Sequence, residues 1–231
     1  MHSCQQRDLA DITVCIVPVF NEGIVLEEVL LGLTRLFPHV ICVDDGSVDD
    51  SAKISAKLGL QTVSHALNVG QGAALITGLK LAARNKQFVY AITFDADGQH
   101  SPEDAMRLVQ KLDETSVGIV FGTRFIGDGS GSIPLVKRLL LRTVVLVRQL
   151  CGRSQLTDSH NGLRALRLSA FEDLEFVNYG MAHASEIVAW VLKNDIKYAE
   201  APVSIMYSRY SRRKGQSIWN AVNILIDLIL R

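Results

Sequence analysis

The chain has 231 residues, with 24 Lys+Arg against 24 Asp+Glu, 48% apolar and 21% charged. This composition excludes a disordered or collagen-like chain and supplies apolar mass for one large core. Without a net basic excess, nothing global points to nucleic acid, and any grip on an anion has to come from local clusters. The cysteines Cys4, Cys15, Cys42 and Cys151 are scattered without a CxxC pair, the pattern of small buried hydrophobes in a reducing, cytoplasmic compartment. The first ten residues lack the apolar core of a signal peptide. No run reaches the ~18 to 20 apolar residues of a spanning helix, yet the mean hydropathy of +0.20 is high for a soluble protein.

In chain order, 12–19 reads as a buried strand. A helix is expected over 22–36, with Val25, Val29, Leu33 and Leu36 on one side. Strands at 40–43 and 61–64 flank a helix at 51–58, and a helix at 71–83 leads to a strand at 88–94. Ser101-Pro102-Glu103-Asp104 gives an N-cap, a proline at the first helical position and an acid three after the cap, opening a helix to 112. A strand follows at 117–122. Alternating strands and helices with short links predict an α/β fold, a mostly parallel sheet with helices on both faces. Ligands of such sheets sit at the carboxyl ends of the strands.

The second half is different. After the Gly- and Ser-rich stretch 127–132, residues 133–150 are apolar but carry Lys137, Arg138, Arg142 and Arg148, the pattern of an interfacial helix. A helical period at 182–192 carries Glu186. Residues 217–231 are apolar except for Asn220, Asn223, Asp227 and Arg231, which share one helical stripe. These two segments hold much of the surplus hydrophobicity.

The chemistry gathers in acidic turns after strands. Val43 leads into Asp44-Asp45-Gly46-Ser47-Val48-Asp49, and Phe94 leads into Asp95-Ala96-Asp97-Gly98-Gln99-His100. Carboxylates at i and i+2 of extended backbone point the same way, so Asp95 and Asp97 can approach one hard cation, with Gln99 as a third oxygen donor. A divalent ion held there can bind a diphosphate.

Five motifs then appear in order: IVPVFNE at 16–22, VDDGSVD at 43–49, NVGQGAA at 68–74, FDADGQH at 94–100 and GTRF at 122–125. Together they resemble the motif set of the family 2 glycosyltransferases, and within it the dolichyl- and polyprenyl-phosphate sugar synthases. The likeness spans about 12–217 and implies a Rossmann-like GT-A domain over 12–216, after a tail at 1–11 and before a C-terminal amphipathic helix at 217–231. Its nucleotide-binding half would be about 12–100 and its acceptor half about 101–216. It implies a nucleotide-diphospho-sugar donor, with Pro18, Phe20 and Glu22 around the nucleoside, Asp44 or Asp45 on base or ribose, and Asn68 nearby. Gln71 stands where relatives often carry Lys. Asp95, Asp97 and Gln99 become the site of Mg²⁺ or Mn²⁺ and the diphosphate.

TDSHNGLR at 157–164 is similar to the segment where sugar and acceptor meet, with Leu163 in place of the usual Phe. It assigns Asp158 to orienting the donor sugar or Arg164; His100 and His160 are candidates near the site. The basic cluster Arg209, Arg212, Arg213 and Lys214, with Gly215 and Ser217, resembles an Arg-x-x-Gly-x-Ser phosphate element after a Pro-containing strand at 202–207. Either Arg209 or Arg212 fits its arginine. Arg124 and Arg164 are further phosphate or acceptor candidates, since a guanidinium fork donates two parallel hydrogen bonds.

The implied reaction is inverting transfer of the sugar to a polyprenyl phosphate by a peripheral enzyme on the cytosolic face of a membrane, with residues 217–231 open to a homodimer or membrane-subunit contact. A saccharide hydroxyl is the alternative acceptor, with Glu186 as base. A noncatalytic nucleotide-sugar-binding subunit is the alternative outside enzymes. The bases and sugars of GDP-mannose, UDP-glucose and UDP-N-acetylhexosamine all stay open. A sugar-phosphate nucleotidyltransferase lacks its Gly-rich N-terminal loop here, and a response regulator lacks its later Asp and Lys.

Overall fold

A computed structural model describes residues 8–124, 156–158, 161–174 and 183–206. The strands among them are β1 (Thr13–Val19), β2 (His39–Asp44), β3 (Gln61–Ser64), β4 (Tyr90–Thr93), β5 (Ile119–Thr123), β6 (Arg164–Arg167) and β7 (Tyr198–Pro202). The helices are α1 (Leu26–Thr34), α2 (Ser51–Lys57), α3 (Gln71–Arg84), α4 (Pro102–Glu114) and α5 (His183–Lys193). All strands join one sheet in the order β3-β2-β1-β4-β6-β5-β7.

Every side chain of β1 is buried, which is what helices on both faces of a central parallel strand require. Alternation along β1 then sorts two cores. Cys15, Val17 and Val19 face Leu26, Leu30 and Leu33 of α1 and Leu108, Val109 and Leu112 of α4. Val14 and Ile16 face Ala74, Leu75 and Leu79 of α3, in a layer that also takes Ile187, Val188 and Val191 of α5. Each fully buried Leu, Ile or Val contributes roughly 1.5–3 kcal/mol. Cys15 and Cys42 are buried free thiols; burial pushes Cys15 well above its usual range and Cys42 up to about 12, so both behave as inert hydrophobes.

Three expectations are corrected. The first helix starts at Leu26 rather than at 22, because the preceding turn spends its backbone N–H groups on the neighbouring loop. The proline-containing strand ends at Pro202 instead of beginning there. The third is β6, antiparallel to β4 on one side and to β5 on the other, a strand that the periodicity does not predict because it begins and ends with arginine. Arg167 fits since its guanidinium lies over the Tyr90 ring, 5.1 Å from the centroid. It donates to the main-chain oxygens of Leu112 at 3.0 Å and Thr115 at 3.3 Å. Residues 133–150 and 217–231 lie outside the described residues.

The chain runs outward from β1 to β2 and β3 and returns to place β4 on the other side of β1, which makes the β1–β4 boundary the switch point of the sheet. Ile16 O accepts from Phe94 N at 3.0 Å, so residues 16 and 18 present their backbone groups toward β4. The β4 register stops with Thr93 opposite Ile16. The N–H that Pro18 lacks therefore falls where β4 has already turned away, and a proline is tolerated inside a central strand.

Candidate active site

The turns at the carboxyl ends of β1 and β2 are laced together. Asn21 N donates to Ser47 Oγ at 3.0 Å, Glu22 N to Ser51 Oγ at 2.9 Å and Gly23 N to Asp49 Oδ2 at 2.9 Å. Asn21, at φ 55°, returns the link by accepting Val48 N on Oδ1 at 2.9 Å. Phe20, 41% exposed, is thereby held at the rim while Pro18 is buried in the strand.

Asp44 and Asp45 diverge. Both are buried, but Asp45 is turned into the β3–α3 loop: Oδ1 accepts Val69 N at 3.0 Å and the His65 Nδ1 donor at 2.7 Å, and Oδ2 accepts Gly70 N at 2.7 Å. His65 Nε2 shares a further bond with Thr77 Oγ1, 3.0 Å away. Gly70, at φ 117°, sits in a region L side chains rarely adopt, and this lets α3 begin at once with Gln71. Asp45 is thus a loop anchor that also carries the exposed Asn68. The Asp44 carboxylate accepts a long bond, 3.4 Å from Ser47 N.

After β4 comes the pair of carboxylates. Oδ1 of Asp95 accepts Gln71 Nε2 at 2.9 Å, and Oδ2 faces His100 Nε2 at 3.2 Å. Burial raises the Asp95 carboxyl, but the His100 hydrogen bond and the fields of His100, His183 and Arg164 outweigh it and hold the group below its usual range. Asp97 goes the other way, raised by burial, then by Asp95 and to a lesser degree Glu22. Gln99 closes the turn, its backbone N reaching Asp97 Oδ1 at 3.0 Å and its Nε2 reaching Asp97 Oδ2 at 2.6 Å. Its amide group is therefore engaged with Asp97. Gln99 O accepts Met206 N at 2.9 Å, tying the segment beyond β7 to this turn.

The far wall is built from β5, β6 and β7. Arg124, just after β5, clasps the buried Asp158 with a two-pronged bond, Nε to Oδ2 at 2.6 Å and Nη2 to Oδ1 at 2.7 Å. Glu200 of β7 organises the opposite side of the same loop: its Oε1 accepts Thr157 N at 2.8 Å, Thr157 Oγ1 at 2.9 Å and Asp158 N at 3.3 Å. Arg164 lies fully buried at the start of β6, with its guanidinium 5.7 Å from the Phe121 ring centroid. Burial pulls it down to about 10 against the fields of Asp95 and Asp158, so it stays a cation at neutral pH. It is a counter-charge beneath the two acids rather than a surface for phosphate. Glu186 stands in the first turn of α5, the helix end whose His183 acts on Asp95.

Of the residues singled out in the sequence, the structure gathers Pro18 and Asp44, in the last residues of β1 and β2, with Phe20, Glu22, Asp45, Asn68, Asp95, Asp97 and Gln99 on the loops that follow β1 to β4. Arg124, Asp158 and Arg164 form the facing charge network. Arg209, Arg212, Lys214, Ser217 and His160 lie outside the described residues. The sequence reading passed over His65 and Glu200, which carry no local motif. His100 stood beside the acidic pair in the sequence, and that adjacency was its only signal.

The donor set suits a hard divalent ion. Burial first and then the charge of Asp95 raise Asp97, a cost that a bound cation would offset, and among the described residues no group of three or more His, Cys, Asp or Glu suited to a metal occurs. Two protein carboxylates, with water and phosphate oxygens completing the shell, is a usual protein contribution to a Mg²⁺ site.

The glycosyl transferase family 2 model matches residues 14–175. The chain is a family 2 glycosyltransferase. It is 30% identical over 238 residues to a UDP-N-acetylglucosamine–dolichyl-phosphate N-acetylglucosaminyltransferase of Methanococcus voltae, covering 93% of this chain and 94% of that one. It is 25% identical over 224 residues to a polyprenol monophosphomannose synthase of Mycolicibacterium smegmatis, covering 92% and 82%. Glucosyl-3-phosphoglycerate synthase of Mycobacterium tuberculosis, solved with Mn²⁺ and UDP-glucose, superposes with a TM-score of 0.65 at 17% identity, over 93% of this chain and 78% of that one. This last likeness shows the GT-A fold alone. The transferase thus resembles the dolichyl- and polyprenyl-phosphate sugar synthases of its family.

Proposed function

We propose that this transferase moves a sugar from a nucleoside diphospho-sugar to a polyprenyl phosphate, with inversion at the anomeric carbon. The observation that carries the reading is the Asp95–Asp97 pair at the switch point of the sheet, facing the Arg124–Asp158 network. The names of the two polyprenyl-phosphate relatives support the acceptor. The nucleoside lies over the β1–β2 edge, against Pro18, Phe20 and Glu22, with Asp44 and Asn68 as its polar contacts. Asp95 and Asp97 would hold Mg²⁺ or Mn²⁺, which offsets charge on the diphosphate. A structural relative bound to Mn²⁺ and a UDP-sugar is consistent with this.

A phosphate oxygen of the acceptor forms the new bond to the anomeric carbon while the bond to the diphosphate breaks, and the electron pair leaves with the nucleoside diphosphate. A lipid phosphate is already ionised near neutral pH and needs no proton removed, so Glu186 orients rather than abstracts. Arg124, with Arg209 or Arg212, Lys214 and Ser217, receives phosphate charge. The catalytic unit spans 12–216. Residues 133–150 and 217–231 seat it on the cytosolic face of a membrane, 217–231 also offering a homodimer or subunit contact. No helix among the described residues is long and apolar enough to cross a membrane.

The test is a panel of labelled nucleotide sugars with Mg²⁺ or Mn²⁺ and a short polyprenyl phosphate. One donor is expected to give an organic-extractable product that requires the metal, and Glu186→Gln is expected to retain transfer. Labelling of a saccharide acceptor with no lipid product, abolished in Glu186→Gln, establishes the hydroxyl-acceptor reading instead. Absence of both transfer and donor hydrolysis supports a noncatalytic binding subunit.

A further inference from the structure

The Asp95 carboxylate is gripped from three elements. Gln71, the first residue of α3, reaches Oδ1 at 2.9 Å, and His100, at the end of the turn after β4, reaches Oδ2 at 3.2 Å. The Gly162 backbone closes the remaining side, so near that a methyl there would stand 2.7 Å from Asp95 Cγ. His100 is 5% exposed, with its ring edge-on to Phe94 at a centroid separation of 5.8 Å. Its Nδ1 has no hydrogen-bond partner among the described residues.

A buried ring nitrogen without a partner is destabilising, and an apolar side chain would fill the same space without that cost. The imidazole is accounted for by its other nitrogen, the one on Asp95. A carboxylate is otherwise soft about its last torsion, and groups bonded to a metal ligand from behind set its orientation. We propose that Gln71 and His100 are positioning residues that lock Asp95 in its ion-binding orientation before ion and donor arrive. The inference rests on the metal reading above and goes beyond it, since neither residue has to touch donor or acceptor.

The test uses the full chain and Mn²⁺ in the presence of UDP or GDP, with free Mn²⁺ followed by electron paramagnetic resonance. Wild type is compared with Asp95→Asn, Gln71→Leu, His100→Leu and His100→Gln. Leucine keeps the volume without a donor, whereas the Nε2 of glutamine falls near the imidazole Nε2. Gln71→Leu and His100→Leu are expected to weaken Mn²⁺ binding about 10- to 100-fold, and His100→Gln to restore most of it. Should His100→Leu fail to fold, Gln71→Leu, half-buried at a helix start, carries the test. Wild-type Mn²⁺ affinity in both leucine variants overturns the clamp and leaves the metal reading standing. Equal loss in His100→Leu and His100→Gln reduces His100 to packing and overturns its part. Mn²⁺ binding that Asp95→Asn does not diminish overturns the metal reading and the clamp together.

Discussion

Gly162→Ala places one methyl group against the reaction centre, and the outcome follows from distances. The added Cβ would stand 2.7 Å from Asp95 Cγ and 2.8 Å from Oδ1, and would overlap Oδ2 more closely still, where comfortable carbon contacts begin near 3.5 Å. Either the strand start or the carboxylate has to give by more than about 1 Å. The strand start is pinned: Gly162 O accepts Thr93 Oγ1 at 2.6 Å, Leu163 N donates to Asn161 Oδ1 at 2.9 Å, and Leu163 O accepts Gly122 N at 3.0 Å. Asp95 therefore moves, leaving Gln71 or His100. Metal–ligand distances tolerate only about 0.2 Å, and a 1 Å misplacement can cost on the order of 10²-fold in rate. Gly162→Ala should lower transfer about 100-fold and weaken Mn²⁺ binding. Overpacking should cost about 1–3 kcal/mol of stability, roughly 2–4 °C of melting temperature per kcal/mol in a domain this size. Initial rates at saturating donor, the Mn²⁺ titration and a thermal melt measure the three effects. A variant with wild-type rate, affinity and melting temperature would show that the loop yields freely, and the rigidity argued for Asp95 would be wrong.

Asp97→Asn probes the opposite member of the pair. Because the folded protein raises the Asp97 carboxyl above its ordinary 3.8, ionisation destabilises the metal-free fold as pH rises through the raised value, and the effect vanishes below the ordinary one. Metal-free Asp97→Asn should therefore melt higher than wild type near pH 7, by on the order of 0.5–2 kcal/mol, with the gap closing in acid. It should gain nothing from added Mn²⁺; a melting temperature below wild type without metal refutes the reasoning. Glu200→Ala should release the 157–158 loop and lower transfer roughly 10- to 100-fold. Glu200→Gln should keep most activity, because a single oxygen, Oε1, accepts all three bonds; equal loss in the two variants, read from initial rates, would contradict that assignment.

What was legible in the sequence was what repeats locally. Ser101 does cap α4, accepting Asp104 N at 3.3 Å, and β3 occupies 61–64 as its β-branched core and flanking turns predict. The acidic turns stand at strand ends because a parallel sheet puts its loops there. What escaped depends on partners distant in sequence. Asp45 and Asp44 look alike in a string, and only His65, Val69 and Gly70, arriving from the next loop, give Asp45 its own role. Arg164 looked like a phosphate ligand because arginine is usually exposed, yet the acids it balances, Asp95 and Asp158, come from different stretches of chain. Strand β6 hid for the same reason: its Arg167 finds Tyr90, Leu112 and Thr115 only after folding.

β6 also decides how the molecule can move. It is laddered to β4, which ends at the Asp95 turn, and to β5, which ends at Arg124. The Asp95 turn and Arg124 thus hang from one continuous three-strand ladder, with no linker between β4, β6 and β5 among the described residues about which one could swing against the other. In the proposed reaction, the spacing between the Asp95 turn, where the diphosphate would leave, and Arg124, where the acceptor phosphate would arrive, is then set when the chain folds.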